Sequence, residues 1–476
     1  MPESGLSTRA VRAVAWSGVS SVVLRLGGVV VGIVLARILT PEQFGVYAVA
    51  LAVQGILMTI ADLGLSADII RSDQPERVAP TVGTLGLVSG TGLAVLMAST
   101  SSGTAEILGS PDAAPALAIL SATLFLAGFS VVPYGLLQRR FAQRELFLIA
   151  VCDFVVSTAV TLALVAGGLG VLGLAIGRVA AQALTSSLQF LIARVRPRFA
   201  VDRTVVGSVL AYALPIAGAN LVGWAMLNVD KLILARVVGS TGLGFYVLAF
   251  NVSNWPMNAM AQMVRSVSLP YFARSTGGLP SVAALAWAAA LPAGAVLAVL
   301  AGPLIETLYG PRWLPAAPVL AGLGLYGGLR VVFDAFAGYL YARDRTRPVL
   351  WLQLISIAAL TGGLLLVVPS GGIVAAAWLQ VGIAGLVVLP GYLLSLRRAG
   401  VRPQELLGAL WLPTLGAVPA VTVAVAAATF LRDPLVAMLA GGISAVAVHL
   451  LVMGTWLRNR LRALRATDDR LEEMLV

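Results

Sequence analysis

Apolar runs of about 20 residues recur from Val14 to Leu457. At 1.5 Å of rise per residue, each is long enough to cross a ~30 Å hydrocarbon layer as a helix. Charged residues make up 11% of the 476-residue chain and hydrophobic residues 59%, which leaves too little polar surface to cover a fold in water. Inside hydrocarbon each backbone amide must be satisfied by its own segment or a closed barrel, and long runs without period-two alternation select the helix. The pattern predicts an all-α polytopic membrane protein of about 14 transmembrane helices. They fall at roughly 14–36, 43–64, 78–98, 113–138, 146–167, 170–192, 207–236, 243–265, 279–302, 314–341, 349–368, 372–396, 406–430 and 434–457.

The basic residues orient these spans. With both termini placed in the cytoplasm, 24 of the 32 Lys and Arg lie near cytoplasmic ends, and 4 (Arg37, Arg236, Arg312 and Arg432) lie at the other side. That asymmetry is the positive-inside pattern, and it accounts for the net charge of +11. No basic stretch is interleaved with exposed aromatics, so no nucleic-acid partner is implied. Arg9 and Arg12 precede an apolar run with no small-residue cleavage site, which reads as a first span and not a removable signal. Residues 458–476 form a basic cytoplasmic tail suited to anionic lipid head groups. One cysteine, Cys152, and one histidine, His449, cannot form a disulfide or a Cys/His metal cluster. No cofactor, metal or catalytic constellation is expected, and His449 reads as a packed or interfacial side chain.

The chain also repeats itself. Gly32–Val53 aligns without a gap on Lys231–Val252 at a shift of 199 residues, matching Arg37 with Arg236, Gly45 with Gly244 and Tyr47 with Tyr246. Ala113–Leu117 echoes Ala316–Leu320, and Arg140 and Arg144 echo Arg343 and Arg347. Such an interval holds six helices, an even number, so the copies have the same sense in the membrane. This predicts an N-terminal six-helix bundle over 1–200, its repeat over 201–400 and two additional helices over 401–457. Between the first two helices, Thr40, Pro41 and Gln43 spell an N-cap, a first helical residue and the partner of a capping box.

"LARILTPEQFGVYAVA" from Leu35, "ADLGLSADIIR" from Ala61, "VDKLILARVVGSTGLGFYVLA" from Val229 and "LYGPRWLPAAPVLAGL" from Leu308 occur in this order. Together they resemble the Wzx-type polysaccharide-transporter branch of the multidrug/oligosaccharidyl-lipid/polysaccharide exporter superfamily, over about residues 10–400. The resemblance implies two six-helix bundles in a V around a central cavity. It also implies a flippase of the bacterial cytoplasmic membrane that moves a polyprenyl-diphosphate-linked oligosaccharide to the outer leaflet for cell-surface polysaccharide synthesis. Its partners would be that lipid-linked glycan, membrane lipids and other polysaccharide-assembly proteins. An ion-coupled multidrug exporter of the same superfamily is the alternative, and a membrane polymerase or ligase a more distant one.

Four basic residues fall within predicted spans: Arg25, Arg178, Lys231 and Arg330. A basic group at mid-bilayer costs at least ~2.5–3.5 kcal/mol on insertion scales. Arg25 lacks an acidic neighbour within a turn, which makes it the first candidate for an anionic head group. Arg330 is read either as a second contact or as half of an intrahelical pair with Asp334. Lys231, the single lysine, is read either as a third contact or as a snorkelling side chain, and Arg178 as a partner of Asp153. Asn220, Asn228 and Lys231 share one helix face, as do Asn254, Asn258 and Gln262. These amides are candidates for a wet cavity wall facing sugar, with interhelical hydrogen bonding as the other reading. Asp62, Asp230 and Asp334 are candidates for ion coupling.

The charge asymmetry makes a direct prediction about orientation. Cysteines introduced into the Thr100–Gly109 segment should react with an impermeant reagent in intact cells, and cysteines beside Arg196 should not. The opposite pattern would invert the chain.

Overall fold

A computed structural model describes Leu24 and residues 26–62, 64–274 and 278–473. Among the described residues, twelve helices are long and apolar enough to cross a membrane. The sequence count of about 14 differs in two places. The first predicted span lies mostly outside the described residues, leaving the shorter helix α1, Leu26–Ile38. The eleventh and twelfth fall within one long apolar stretch, Thr346–Arg398, divided at Gly372. The chain divides into two compact units, Met1–Gly244 and Phe245–Val476.

In the first unit α1 is followed by α2 (Pro41–Asp62), α3 (Leu65–Arg71), α4 (Pro75–Ser99), a short α5 (Ser101–Ile107), a 3₁₀ turn (Pro111–Ala113), α6 (Ala114–Phe129), α7 (Val131–Arg139), α8 (Gln143–Ala166) and α9 (Gly170–Ala193). The predicted capping box opens α2: Thr40 N–H donates to Gln43 Oε1 at 3.1 Å, and Gln43 N–H donates to Thr40 Oγ1 at 3.2 Å. The predicted span 113–138 is interrupted at Ser130, where α6 ends and α7 begins. Pro133 offers no N–H to the Phe129 carbonyl, and at Ser130 both the N–H and Oγ donate to the Leu126 carbonyl, at 3.1 and 2.9 Å. Helix α8 packs on α9, and α4 and α2 pack on α6. The α4–α6 approach depends on the absence of side chains, because a Cβ on Gly90 would lie 2.6 Å from the Leu124 carbonyl oxygen. Leu65, Ile69, Val82, Val131 and Val209 fill the core beside it.

Helix α10, Arg203–Arg274, is continuous except at Gly239, whose φ of 71° and ψ of −179° divide it into two arms. That conformation is open to glycine and strained for other residues. The start of the second arm packs against the start of α2 with little room. A Cβ on Gly45 would overlap the Ser240 carbonyl oxygen, and one on Gly244 would overlap that of Pro41. The matched glycines of the two repeated phrases therefore lie backbone to backbone, each against the first residue of the other's helix.

The second unit continues with α11 (Leu279–Val299), a short α12 (Ala301–Tyr309), a 3₁₀ segment (Pro311–Ala316), α13 (Ala317–Ala342), α14 (Thr346–Ile383, broken at Gly372), α15 (Leu389–Arg398), α16 (Pro403–Phe430) and α17 (Pro434–Glu473). Helix α11 packs on α13 and α16, and α16 packs on α17. Its core is aromatic: Phe272 meets Tyr339 edge-on at 5.2 Å between ring centroids, and Phe333 stacks on Tyr392 at 5.5 Å. The succession of long helix, short helix, left-handed glycine, 3₁₀ turn and long helix occurs in both units. Gly109 and Gly310 occupy the glycine position, with φ of 69° and 97°.

Filling the close contact should be costly. Gly45→Val is expected to lower stability by about 1–3 kcal/mol or more through overpacking. Gly28→Val, where an added Cβ meets nothing within 4 Å, should be nearly neutral. Thermal unfolding in detergent, followed by size-exclusion fluorescence, would check the difference, and equal melting curves would contradict the packing.

Candidate functional site

Three of the four in-span cations lie among the described residues, and each finds a different partner. Arg178 on α9 pairs with Asp153 on α8 at 3.4 Å, and Thr185 Oγ1 also donates to Asp153 at 2.9 Å. This is a helix-to-helix clamp, as the sequence suggests. Arg25 and the side chain of Asp62 lie outside the described residues.

Lys231 and Arg330 each meet an asparagine. On the first arm of α10, Asn228 donates its Nδ2 to the Trp224 carbonyl at 3.0 Å, and its Oδ1 accepts from Lys231 Nζ at 2.9 Å. On the second arm, Asn254 donates Nδ2 to the Phe250 carbonyl at 2.9 Å, and its Oδ1 accepts from Arg330 Nη1 at 3.4 Å. In both cases the amide nitrogen is bound to its own helix, so the amide is oriented and its oxygen meets the cation. The amide oxygen fixes the position of the cation and carries no formal charge of its own.

The carboxylates are differently employed. Asp334 does not form the intrahelical pair with Arg330 that the four-residue spacing suggests. It accepts from Arg265 Nη1 of α10 at 2.8 Å. Arg265 sits two turns beyond Asn258 on the amide face, at the end of the polar stripe that the spacing of these residues predicts. Asp230 is buried at 3% exposure, and its Oδ1 accepts the Lys231 backbone N–H at 2.9 Å. The Asp230 carboxylate also acts electrostatically on Lys231. Asn258 is half-buried, while Asn220 and Gln262 are exposed. His449 is buried in α17, with neither ring nitrogen bonded to a protein group.

Within the first unit, a cavity of about 470 Å³ is lined by Thr59, Tyr134, Gln182, Gln189 and Asn220, with Gly55 and Gly128 giving it flat walls. Among the described residues, no charged side chain lines it. Gln189 is buried, and its Oε1 has no hydrogen-bond partner. Gln182 and Gln189 escaped the sequence reading, although they follow Arg178 at helical steps of four and seven on α9. By contrast Gln54 is a strut, donating to Thr123 Oγ1 at 2.6 Å between α2 and α6.

This fold and these in-span polar groups are those of a polytopic helical membrane protein. The solved structure of the lipid II flippase MurJ in an inward closed conformation superposes with a TM-score of 0.77, covering 94% of this chain and 100% of that one at 13% identity. An inward-facing MATE family multidrug resistance transporter of the MOP superfamily superposes at 0.57, covering 81% of this chain and 98% of that one at 16% identity. The chain belongs to the polysaccharide biosynthesis protein family, whose profile matches residues 34–318. It is 28% identical to the succinoglycan biosynthesis transport protein ExoT of Rhizobium meliloti over 384 residues, 78% of this chain and 76% of that protein. It is 26% identical to the lipopolysaccharide biosynthesis protein WzxC of Escherichia coli over 356 residues, 71% of each chain.

The partner exchange at Asp334 is open to a double-mutant cycle. Arg265→Gln and Asp334→Asn should be coupled in unfolding free energy by about 0.5–3 kcal/mol, and Arg330→Gln and Asp334→Asn by less. A larger coupling in the second cycle would restore the intrahelical pair.

Proposed function

We propose that the protein flips a polyprenyl-diphosphate-linked oligosaccharide from the cytoplasmic to the outer leaflet by alternating access, for the synthesis of a cell-surface polysaccharide. Arg330, held by the Asn254 oxygen within a membrane span while Asp334 is bound to Arg265, carries this reading. A diphosphate crossing hydrocarbon needs fixed positive charge, and a cation already matched to a carboxylate supplies little. Arg25, Arg330 and Lys231 contact the head group in this proposal. Asn220, Asn228, Asn254, Asn258 and Gln262 offer amides to sugar hydroxyls or to the water that solvates them. The cavity of Gln182 and Gln189 is a further polar wall of the same kind. Asp62, Asp230 and Asp334 are the carboxylates through which an ion or proton gradient would be coupled to the cycle.

The recurring succession of elements and the paired glycines support two parallel repeats, assigned to residues 1–200 and 201–400, with the helices of 401–457 and the basic tail of 458–476 added. The membrane is the bacterial cytoplasmic membrane, with both termini inside and assembly proteins of the same polysaccharide as neighbours. The names of the relatives, which speak of transport and of polysaccharide synthesis, fit this assignment. Export of cationic drugs would instead call for open carboxylates, yet Asp153 and Asp334 are held by Arg178 and Arg265.

Deletion of the gene should cause a polyprenyl-linked glycan to accumulate on the cytoplasmic side, read by mass spectrometry of extracted lipids. Arg25→Ala and Arg330→Ala should each lower glycan export by about tenfold or more, the loss expected when a hydrogen bond to a charged group is removed. Arg25→Lys should restore part of it, keeping the charge without the bidentate fork. Normal export by folded, membrane-inserted Arg25→Ala and Arg330→Ala proteins would remove the anionic-cargo reading.

A further inference from the structure

The arginines at one end of the first unit do more than mark topology. The positive-inside bias needs basic residues near span ends but no particular shape. Here Arg140, Arg194, Arg196 and Arg198 line a pocket of about 500 Å³ formed by the start of α4, the α6–α7 region, the end of α9 and the segment that follows it. Three phenylalanines also line it. Phe129 lies 4.8 Å from Phe190 and 6.2 Å from Phe199 between ring centroids.

The wall after α9 is pinned and not a loose loop. Ala200 N–H donates to the Pro80 carbonyl at 3.4 Å, Thr84 Oγ1 to the Ala200 carbonyl at 3.1 Å, and Asp202 N–H to Thr81 Oγ1 at 3.1 Å. The hydroxyl and N–H of Thr204 hold the Asp202 carboxyl below the usual carboxylate range, with a smaller contribution from Arg77 3.7 Å away. The acid nearest the strap is thus already engaged. Arg140 is bound to the Ala193 carbonyl at 3.1 Å. Arg194, Arg196 and Arg198 form no ion pair among the described residues, and Glu76 is the one acid in the lining. All three arginines are exposed, and the Phe199 ring beside them is 45% exposed.

An aromatic floor under uncompensated guanidinium groups, at the ends of membrane helices, fits an amphiphile with an anionic head. Arginine takes phosphate oxygens in a bidentate fork, and basic pockets between helices at the head-group level are sites for acidic lipids. The volume is that of a site for one small group and does not extend to an oligosaccharide. From this geometry we infer that the pocket between α4, α7 and α9 binds an anionic phospholipid of the surrounding bilayer, its phosphate on Arg194, Arg196 and Arg198 and the upper part of its chain against Phe129, Phe190 and Phe199. Lys231 and Arg330 are not among its lining residues, and its occupancy does not depend on which glycan is carried.

The test is native mass spectrometry of the full chain, purified in a neutral detergent and titrated with dioleoylphosphatidylglycerol or dioleoylphosphatidylcholine. The wild type should bind phosphatidylglycerol about tenfold more tightly than phosphatidylcholine, and 0.5 M salt should weaken the preference. The double variant Arg196→Gln with Arg198→Gln should lose that preference, while Arg432→Gln, an exposed arginine elsewhere, should keep it. Should the double variant fail to fold, Phe199→Ala provides the second arm, with weaker phosphatidylglycerol binding expected. Equal affinity for the two lipids in the wild type, or unchanged selectivity in the variants, overturns the proposal. So does displacement of bound phosphatidylglycerol by millimolar inorganic pyrophosphate, which would make this a site for free anions. Tighter binding of geranylgeranyl diphosphate than of phosphatidylglycerol would instead assign it to the cargo's own carrier and also overturn it. None of these outcomes alters export by Arg330→Ala, so this inference and the flippase reading fail separately.

Discussion

A peptide group in hydrocarbon has no water to fall back on, and the rest of this molecule follows from meeting that requirement segment by segment. Helices satisfy their own amides, so the spans need only length and apolarity, and those are visible in the chain. Interruptions occur where a residue removes or redirects a backbone bond. Ser130 and Pro133 end α6, and Gly239 divides α10. Each interruption changes the direction of a span, and with it the wall that its side chains can form.

The same constraint governs the polar side chains. A charge in a span is tolerated when something fixes it, and two solutions coexist. Arg178 with Asp153, and Arg265 with Asp334, are matched charges that join helices. Lys231 and Arg330 rest on asparagine oxygens. The first arrangement favours assembly, while the second retains an electrostatic field at some cost in stability. Side by side in one protein, they distinguish cations matched to a carboxylate on a neighbouring helix from cations held by an amide oxygen.

Local patterns proved legible, and partner choice did not. The spacing of Thr40 and Gln43 specified the cap of α2 because both ends of that interaction lie within one turn. Asp153 and Arg178 could be matched because they face each other across one short connection. The four-residue interval from Arg330 to Asp334 suggested a pair with equal force, yet Arg265, 69 residues away, takes the carboxylate. Sequence spacing measures what is near along one helix, and here a neighbouring helix presents a guanidinium in better reach. The stripe of Gln182 and Gln189 had the right period but is diluted by Ala, Leu and Ser. The basic pocket was hidden because its arginines also obey the orientation rule, and only the placement of three phenylalanines under them distinguishes it.

The paired glycines have a further consequence. Gly45 rests on Ser240 and Gly244 on Pro41, so the contact is self-complementary in the manner of a twofold-symmetric subunit interface, although both sides belong to one polypeptide. A bulkier residue in either copy would push on the backbone of the other, and that shared spacing ties the two copies to a common shape. No such tie applies 13 residues upstream, where Lys231 aligns with Gly32 and an added Cβ on Gly32 would meet nothing within 4 Å. The duplicated phrase is thus constrained where its two matching surfaces meet and left free as chemistry, which is how one copy could acquire a charge while the other stayed neutral.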